Sequence, residues 1–180
     1  LPIVILAFVL MMSEYKNLYN ALKIYLILFL ISAILFGING FLHVQSRLST
    51  EKGTIYTSFH LAKSVNELMN FIQTNTDENE KVLVLPEGMP VNFLSNRQGE
   101  DFYNTLIPLY IEAFGEDNII EYFKEFKPNY IIFTNSDFKE YGVSNICNDY
   151  AFKFCEFVAQ NYEHVYTIDN NTRFLIFKKK

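Results

Sequence analysis

Hydrophobic positions along the chain fall into two regimes. Residues 24–42, IYLILFLISAILFGINGFL, run 19 positions without a charge. At 1.5 Å per residue such a helix spans roughly 28 Å, close to the hydrocarbon thickness of a bilayer. The pattern predicts a full membrane span over about 22–44. Tyr25 lies near one end, and His43, Gln45 and Arg47 follow the other, as interfacial residues do. A helix buried in a soluble core seldom runs this far without a charge, and a signal peptide is shorter and has no apolar segment before it. Asn39 is the one strongly polar side chain inside the run. It suits packing against a neighbouring helix, or a position near the interface, better than a transport path. Leu1 to Met12 is also apolar but too short to span, and reads as the end of a preceding span. Ser13 to Leu22 is then the loop between two antiparallel spans.

The pattern changes after an expected linker at 45–57. Leu61, Val65, Leu68, Met69 and Ile72 recur on one face of a helix. Thr74 to Glu80 is a polar stop. Lys81 to Leu85 is a short continuous apolar run ended by Pro86-Glu87-Gly88, the habit of a strand covered on both faces. The stretch from Pro86 to Thr105 reads as loop-rich. Ile119, Ile120, Phe123 and Phe126 mark a helix with Glu116 and Asp117 in its first turn, where the dipole favours carboxylates. Lys127-Pro128 ends it, and Tyr130 to Thr134 is a second buried strand. Asp149 is the expected cap of a helix whose apolar face is Tyr150, Ala151, Phe154, Phe157 and Val158. Tyr162–Ile168 and Arg173–Phe177 form a hairpin about Asp169-Asn170-Asn171. This alternation predicts an α/β fold. One or two transmembrane helices (1–44) lead through the linker (45–57) to a three-layer α/β sandwich (58–180) with a mostly parallel sheet and a C-terminal antiparallel hairpin.

Composition sharpens the division. The 180 residues are 50% hydrophobic with a mean hydropathy of +0.08, yet 32 of the first 44 are apolar or aromatic. The remaining residues carry 13 basic and 19 acidic groups. A chain this apolar is not disordered, and its acidic balance leaves no surplus cation to neutralise nucleic-acid phosphates. Lys16 and Lys23 flank the expected loop and favour placing it in the cytoplasm, although Arg47 and Lys52 stand on the other side. The acidic domain is then expected to be extracytoplasmic, on an integral membrane protein with the lipid bilayer as its first partner. The closing Lys178-Lys179-Lys180 reads as a solvated end. The apolar start, Leu1-Pro2-Ile3 without an initiator Met, suggests the C-terminal piece of a longer protein.

Motifs for chemistry are sparse. Neither G-x-G-x-x-G nor G-x-x-x-x-G-K-[ST] follows a buried strand, and no Ser is bracketed as G-x-S-x-G. His43, His60 and His164 have no partner at metal spacing. No cofactor and no metal are expected. Cys147 and Cys155 are eight apart, about 12 Å along a shared helix, which is too far for a disulfide. Cys155 is expected as a buried thiol and Cys147 as a loop thiol, a pairing status that suits a weakly oxidising setting. Ligands of open α/β sheets collect at the carboxyl ends of strands. Glu87, Asn92, Asn96 and Arg97 follow the first strand; Asn135, Ser136 and Asp137 follow the second. Glu87, Asn92, Arg97, Asn135 and Asp137 are the candidate substrate-binding residues, with Tyr103 and Tyr141 available to stack on a sugar. The same positions also suit plain turns and caps. Ile107-Pro108-Leu109-Tyr110-Ile111 suits either core packing or a dip to the membrane surface.

The order of these segments carries a resemblance. A last span and an amphipathic helix precede Leu85-Pro86-Glu87-Gly88; then come Val91-Asn92-Phe93-Leu94 with Arg97, Lys127-Pro128-Asn129-Tyr130-Ile131-Ile132-Phe133-Thr134, Glu140-Tyr141-Gly142, Asp149-Tyr150 and Asn161-Tyr162. From about Leu22 onward the chain resembles the C-terminal extracytoplasmic domain of bacterial GT-C type membrane glycosyltransferases. Those are the relatives of dolichyl-phosphate-mannose protein mannosyltransferases and of the aminoarabinose transferase of lipid A. The resemblance implies a multi-span parent that moves a sugar from a polyprenyl-phosphate donor to an acceptor outside the cytoplasm. It implies a catalytic acid in an early external loop, so no catalytic residue carries over to this chain. The W-W-D-Y-G signature of oligosaccharyltransferases is absent from a chain without Trp. The expected role is the accessory, acceptor-side domain, with the lipid-linked sugar and the acceptor as partners. A non-enzymatic, membrane-anchored binding or scaffolding domain is the alternative.

Overall fold

The computed structural model describes residues 16–43, 46–50, 52–99, 102–170 and 172–180. The apolar segment Leu1 to Met12 and the first residues of the loop after it lie outside the described residues. So do Val44, Gln45 and Asn171. The chain divides into two compact units, 1–45 and 46–180.

In the first unit, helix α1 (Lys16–His43) contains the expected span. Its segment Leu22–Leu42 is long and apolar enough to cross a membrane, with a mean hydropathy of 2.3 and none of it buried. Residues 16–22, expected in a loop, are helical. Asn17 to Leu22 holds no Gly or Pro to break the helix, so the backbone hydrogen bonds continue beyond the apolar run. Within Leu22–Leu42 the apolar residues face every side of the helix rather than forming one core-facing stripe.

The second unit opens with the segment expected to be a linker. Residues 46–57 instead form an antiparallel hairpin of β1 (Ser46–Thr50) and β2 (Gly53–Thr57). Gly53 takes φ +134 at its turn, a value closed to most side chains. Leu48 is buried against α2 (Phe59–Asn75), which Ser58 caps by accepting the Leu61 amide. Next come β3 (Val82–Leu85), α3 (Met89–Ser95), α4 (Pro108–Phe114), α5 (Glu116–Phe126) and β4 (Tyr130–Thr134). A 3-10 turn (Lys139–Tyr141), α6 (Phe152–Asn161), β5 (Tyr162–Asp169) and β6 (Arg173–Lys179) complete the fold.

The larger sheet has the order β3-β4-β6-β5. Period-two alternation divides its side chains between two cores. Leu83, Leu85, Ile131 and Phe133 join Ile119 and Phe123 of α5 and Phe154 and Val158 of α6. Val82, Val84, Ile132 and Ile176 join Val65, Leu68, Met69 and Ile72 of α2. Both faces are thus covered by helices, which is why β3 and β4 read as unbroken apolar runs. The fold is mixed α/β, but the expected mostly parallel sheet is not what forms. β3 and β4 are parallel, while β4–β6 and β6–β5 are antiparallel. A tight hairpin reverses the chain after β5, so β6 must run against it. β6 then inserts between β4 and β5, turning the last pairings antiparallel.

Two local expectations are corrected. Asp149 does not cap α6; its Oδ2 accepts the amides of Ser144 and Asn145 at 2.8 and 3.1 Å, closing the preceding turn. Those two bonds, from Asn145 and then Ser144, hold its carboxyl below the ordinary Asp value. Helix α6 begins after Ala151, at φ 58, and its Phe154 amide is accepted by Glu116 Oε2 at 2.9 Å. The cap is therefore supplied by a neighbouring helix. Cys147 and Cys155 form a disulfide, with Cα atoms 5.5 Å apart and sulfurs 2.03 Å apart. Cys147 is not on the helix. Positive φ at Cys147 and Ala151 folds the loop back across the first turns of α6 and brings the two residues to bonding distance.

Candidate functional site

A polar–apolar cleft lies at the carboxyl ends of β3 and β4, where the topology of open α/β sheets places ligands. Its volume is about 530 Å³. The turn Pro86-Glu87-Gly88 forms one lip. Leu85–Pro86 is a cis peptide bond, and a side chain at position 88 would collide with the Val84 carbonyl oxygen, so only glycine passes there. This close return sets Glu87 at the exposed rim. From β4, Thr134, Asn135 and Ser136 form the opposite polar wall, joined by Thr172. Asn135 is fixed by its own turn: its Oδ1 accepts the Arg173 amide at 2.8 Å and its amide donates to the Arg173 carbonyl at 3.2 Å. Buried Leu48, Val65, Val84, Leu94 and Phe174 line the apolar part. Ile55, Tyr56 and Leu61 form its open rim, 45%, 61% and 40% exposed.

Of the five expected site residues, the fold brings Glu87 and Asn135 together in this cleft. Asn92 is committed elsewhere: its Nδ2 donates to the Val82 carbonyl at 2.6 Å, tying α3 to the start of β3. Arg97 clamps two helix ends. Its Nε donates to Thr76 Oγ1 at 2.8 Å, its Nη2 to the Thr76 carbonyl at 2.9 Å and its Nη1 to the Ser95 carbonyl at 3.0 Å. These carbonyls are among those left unpaired where α2 and α3 finish. Asp137 is exposed and pairs with Lys139 at 2.6 Å, outside the cleft lining. That contact raises the Lys139 pKa, first through its hydrogen bond and then through charge.

The expected stacking residues also sit elsewhere. Tyr103 is buried among Phe102, Phe114, Tyr122 and Phe123. Tyr141 lies on the 3-10 turn against Phe138. Tyr56 is the exposed aromatic ring at the cleft, Phe174 being buried. Its signal was a Gly53-Thr54-Ile55-Tyr56-Thr57 run after a polar turn, a hairpin signature inside the segment expected to be a linker. The Ile107–Ile111 segment packs on the domain's own core through Ile107 and Ile111.

Beneath the Glu87 lip lies Tyr150, 8% exposed, whose hydroxyl has no hydrogen-bond partner among the described residues. Burial, and then the Glu87 carboxylate, push that hydroxyl far above its ordinary pKa. It stays protonated and neutral. His164 pairs with Thr167 Oγ1 at 2.8 Å on exposed β5; the side chains of His43 and His60 lie outside the described ones. Among the described residues no group of three or more His, Cys, Asp or Glu is placed to hold a metal ion.

A second cleft of about 410 Å³ is lined by Lys124, Lys127, Lys179 and Lys180. Its cations complement the negative ends of α5 and α6. Lys180 Nζ donates to the Ala159 and Gln160 carbonyls at 3.1 and 2.8 Å. The strand-end cleft is different in kind. Among the described residues it holds apolar surface, hydroxyl and amide groups and one carboxylate, groups able to hold a ligand by contact and hydrogen bonding. No family model and no curated protein matches this chain.

Proposed function

We propose that this chain is the C-terminal part of an integral-membrane GT-C type glycosyltransferase. Its second unit, a three-layer α/β sandwich, serves as the extracytoplasmic domain that receives the acceptor. The observation that carries the reading is the cleft joining Glu87 and Asn135 from two neighbouring strand ends, in a chain whose α1 has the length and apolarity of a span. The Cys147–Cys155 disulfide supports the extracytoplasmic side, because such bonds persist in oxidising compartments. The parent's donor, a polyprenyl-phosphate sugar, and its catalytic acid belong to the upstream part of the enzyme on this reading.

The test is sugar transfer in membranes by the full-length protein carrying Glu87→Gln, Asn135→Ala or both. The expected result is a raised KM for acceptor with the donor KM unchanged. Wild-type kinetics in the double variant would remove the acceptor role. Ligand binding by a parent that transfers no sugar would favour the non-enzymatic alternative.

A further inference from the structure

We infer that the strand-end cleft binds an uncharged amphiphilic glycoside: a hydroxyl-rich sugar carrying an alkyl or acyl chain, with no phosphate. The inference rests on the reading of this cleft as a ligand site and adds the class of ligand.

Three observations lead to it. First, the lining combines two kinds of surface, mostly apolar on the hairpin, α2 and α3 and mostly polar after the ends of β3 and β4. Leu48, Ile55, Tyr56 and Leu61 of the hairpin and α2 continue into Val91 and Leu94 of α3 as one apolar wall. Glu87, Thr134, Asn135, Ser136 and Thr172 occupy the end next to the strands. A purely polar sugar would leave the wall wet, and a purely aliphatic ligand would cover the polar end without replacing its water. Second, the polar groups have unused bonding capacity of both kinds. The Glu87 carboxylate and the hydroxyls of Thr134, Ser136 and Thr172 make no hydrogen bond among the described residues. Asn135 engages only its Oδ1 and backbone amide. A carboxylate and an amide N–H in one cleft match sugar hydroxyls, each of which donates and accepts. Third, among the described residues no Lys, Arg or His lines the cleft, and the one charge there is the Glu87 carboxylate. An anionic head group would meet a like charge with no cation to offset it, so the site discriminates against phosphates by repulsion. The volume of about 530 Å³ is that of a small-ligand site. Tyr56, 61% exposed at the rim, offers a ring face to the apolar face of the sugar or to the chain.

The test uses the whole chain in lipid nanodiscs and saturation-transfer NMR, with empty nanodiscs as the blank. Hexyl β-glucoside, held below its micelle concentration, is the probe; glucose, hexanol and hexyl phosphate are comparators. The expected result is saturation on both sugar and alkyl protons, with each comparator roughly tenfold weaker or more. Tyr56→Ala should weaken the glucoside at least about fivefold. Glu87→Gln should weaken glucoside binding about threefold or more, because the carboxylate accepts sugar hydroxyls, and raise hexyl phosphate binding toward it. Hexyl phosphate binding wild-type protein as well as the glucoside does, hexanol doing the same, or a signal equal to the blank would each overturn the inference. So would concentration-dependent shielding of Tyr56 without ligand, which assigns the cleft to a second copy of the chain. The two readings fail separately. Glucoside binding with wild-type transfer in the Glu87 and Asn135 variants removes the acceptor role alone. Altered acceptor KM without glucoside binding removes the ligand class alone.

Discussion

Replacing both cysteines by serine tests how the loop between β4 and α6 is held. The Cys147–Cys155 bond closes a loop of eight-residue separation. In the chain-entropy treatment, a loop of that size restricts the unfolded chain by about 2.5 kcal/mol at 25 °C. Asp149 still ties Ser144 and Asn145 in the double variant, and Cys147 donates its amide to the Tyr150 carbonyl at 2.9 Å. The folded loop therefore survives, and the loss is mainly that entropy. For a unit spanning 46–180, this predicts a Tm lower by roughly 8–10 °C. The assay is thermal unfolding of the whole chain in nanodiscs, followed by near-ultraviolet tyrosine circular dichroism. Wild-type protein treated with a phosphine reductant should fall to the variant's Tm. A double variant melting within about 2 °C of wild type would refute the reasoning. So would two maleimide-reactive thiols in folded protein recovered from an oxidising compartment.

Three further outcomes follow from named contacts. Arg97→Ala should lower stability by about 2–3 kcal/mol, since a half-buried guanidinium leaves Thr76 and Ser95 carbonyls unpaired. Denaturant unfolding measures that, and hexyl glucoside binding should not change. Tyr150→Phe should be neutral or stabilise by about 1 kcal/mol, because it removes a buried hydroxyl that has no partner among the described residues. A loss of more than about 1 kcal/mol would show that the hydroxyl is bonded. Burial pushes the Tyr162 hydroxyl up to about 12, while it donates to the Pro128 carbonyl at 3.1 Å. Above its ordinary value of 10 the unfolded chain loses this proton first, so stability is full below pH 10 and falls from pH 10 to about 12. Ultraviolet titration of tyrosinate should show a late ionisation step near 12 that Tyr162→Phe removes, leaving the still later one of Tyr150.

Much of the domain was legible because its elements are locally encoded. The α2 stripe from Leu61 to Ile72, the VLVL and YIIFT runs and the Asp169–Asn170 turn each announce themselves within a dozen residues. The site was half legible. Proximity to a strand end pointed to Glu87 and Asn135, which line the cleft, and equally to Asn92, Arg97 and Asp137, which do not. Whether a polar side chain near a strand end faces a cleft or satisfies a helix end depends on which carbonyls the fold leaves nearby. Arg97 reaches Thr76 across 21 positions, a relation that no spacing rule contains.

By itself the sequence determined where the chain is apolar enough to enter a bilayer, which strands are covered on both faces, and where it turns. Those properties depend on hydrophobic period and on Gly, Pro and Asn at their turns, all of them local. Tertiary structure decided the rest. It seated β6 between β4 and β5, lent Glu116 of one helix to the first turn of another, and closed Cys147 on Cys155. It also made the 46–57 segment a wall of the cleft. Each is a contact between groups distant in sequence or joined through a left-handed residue, and its free energy arises only when the whole core has formed.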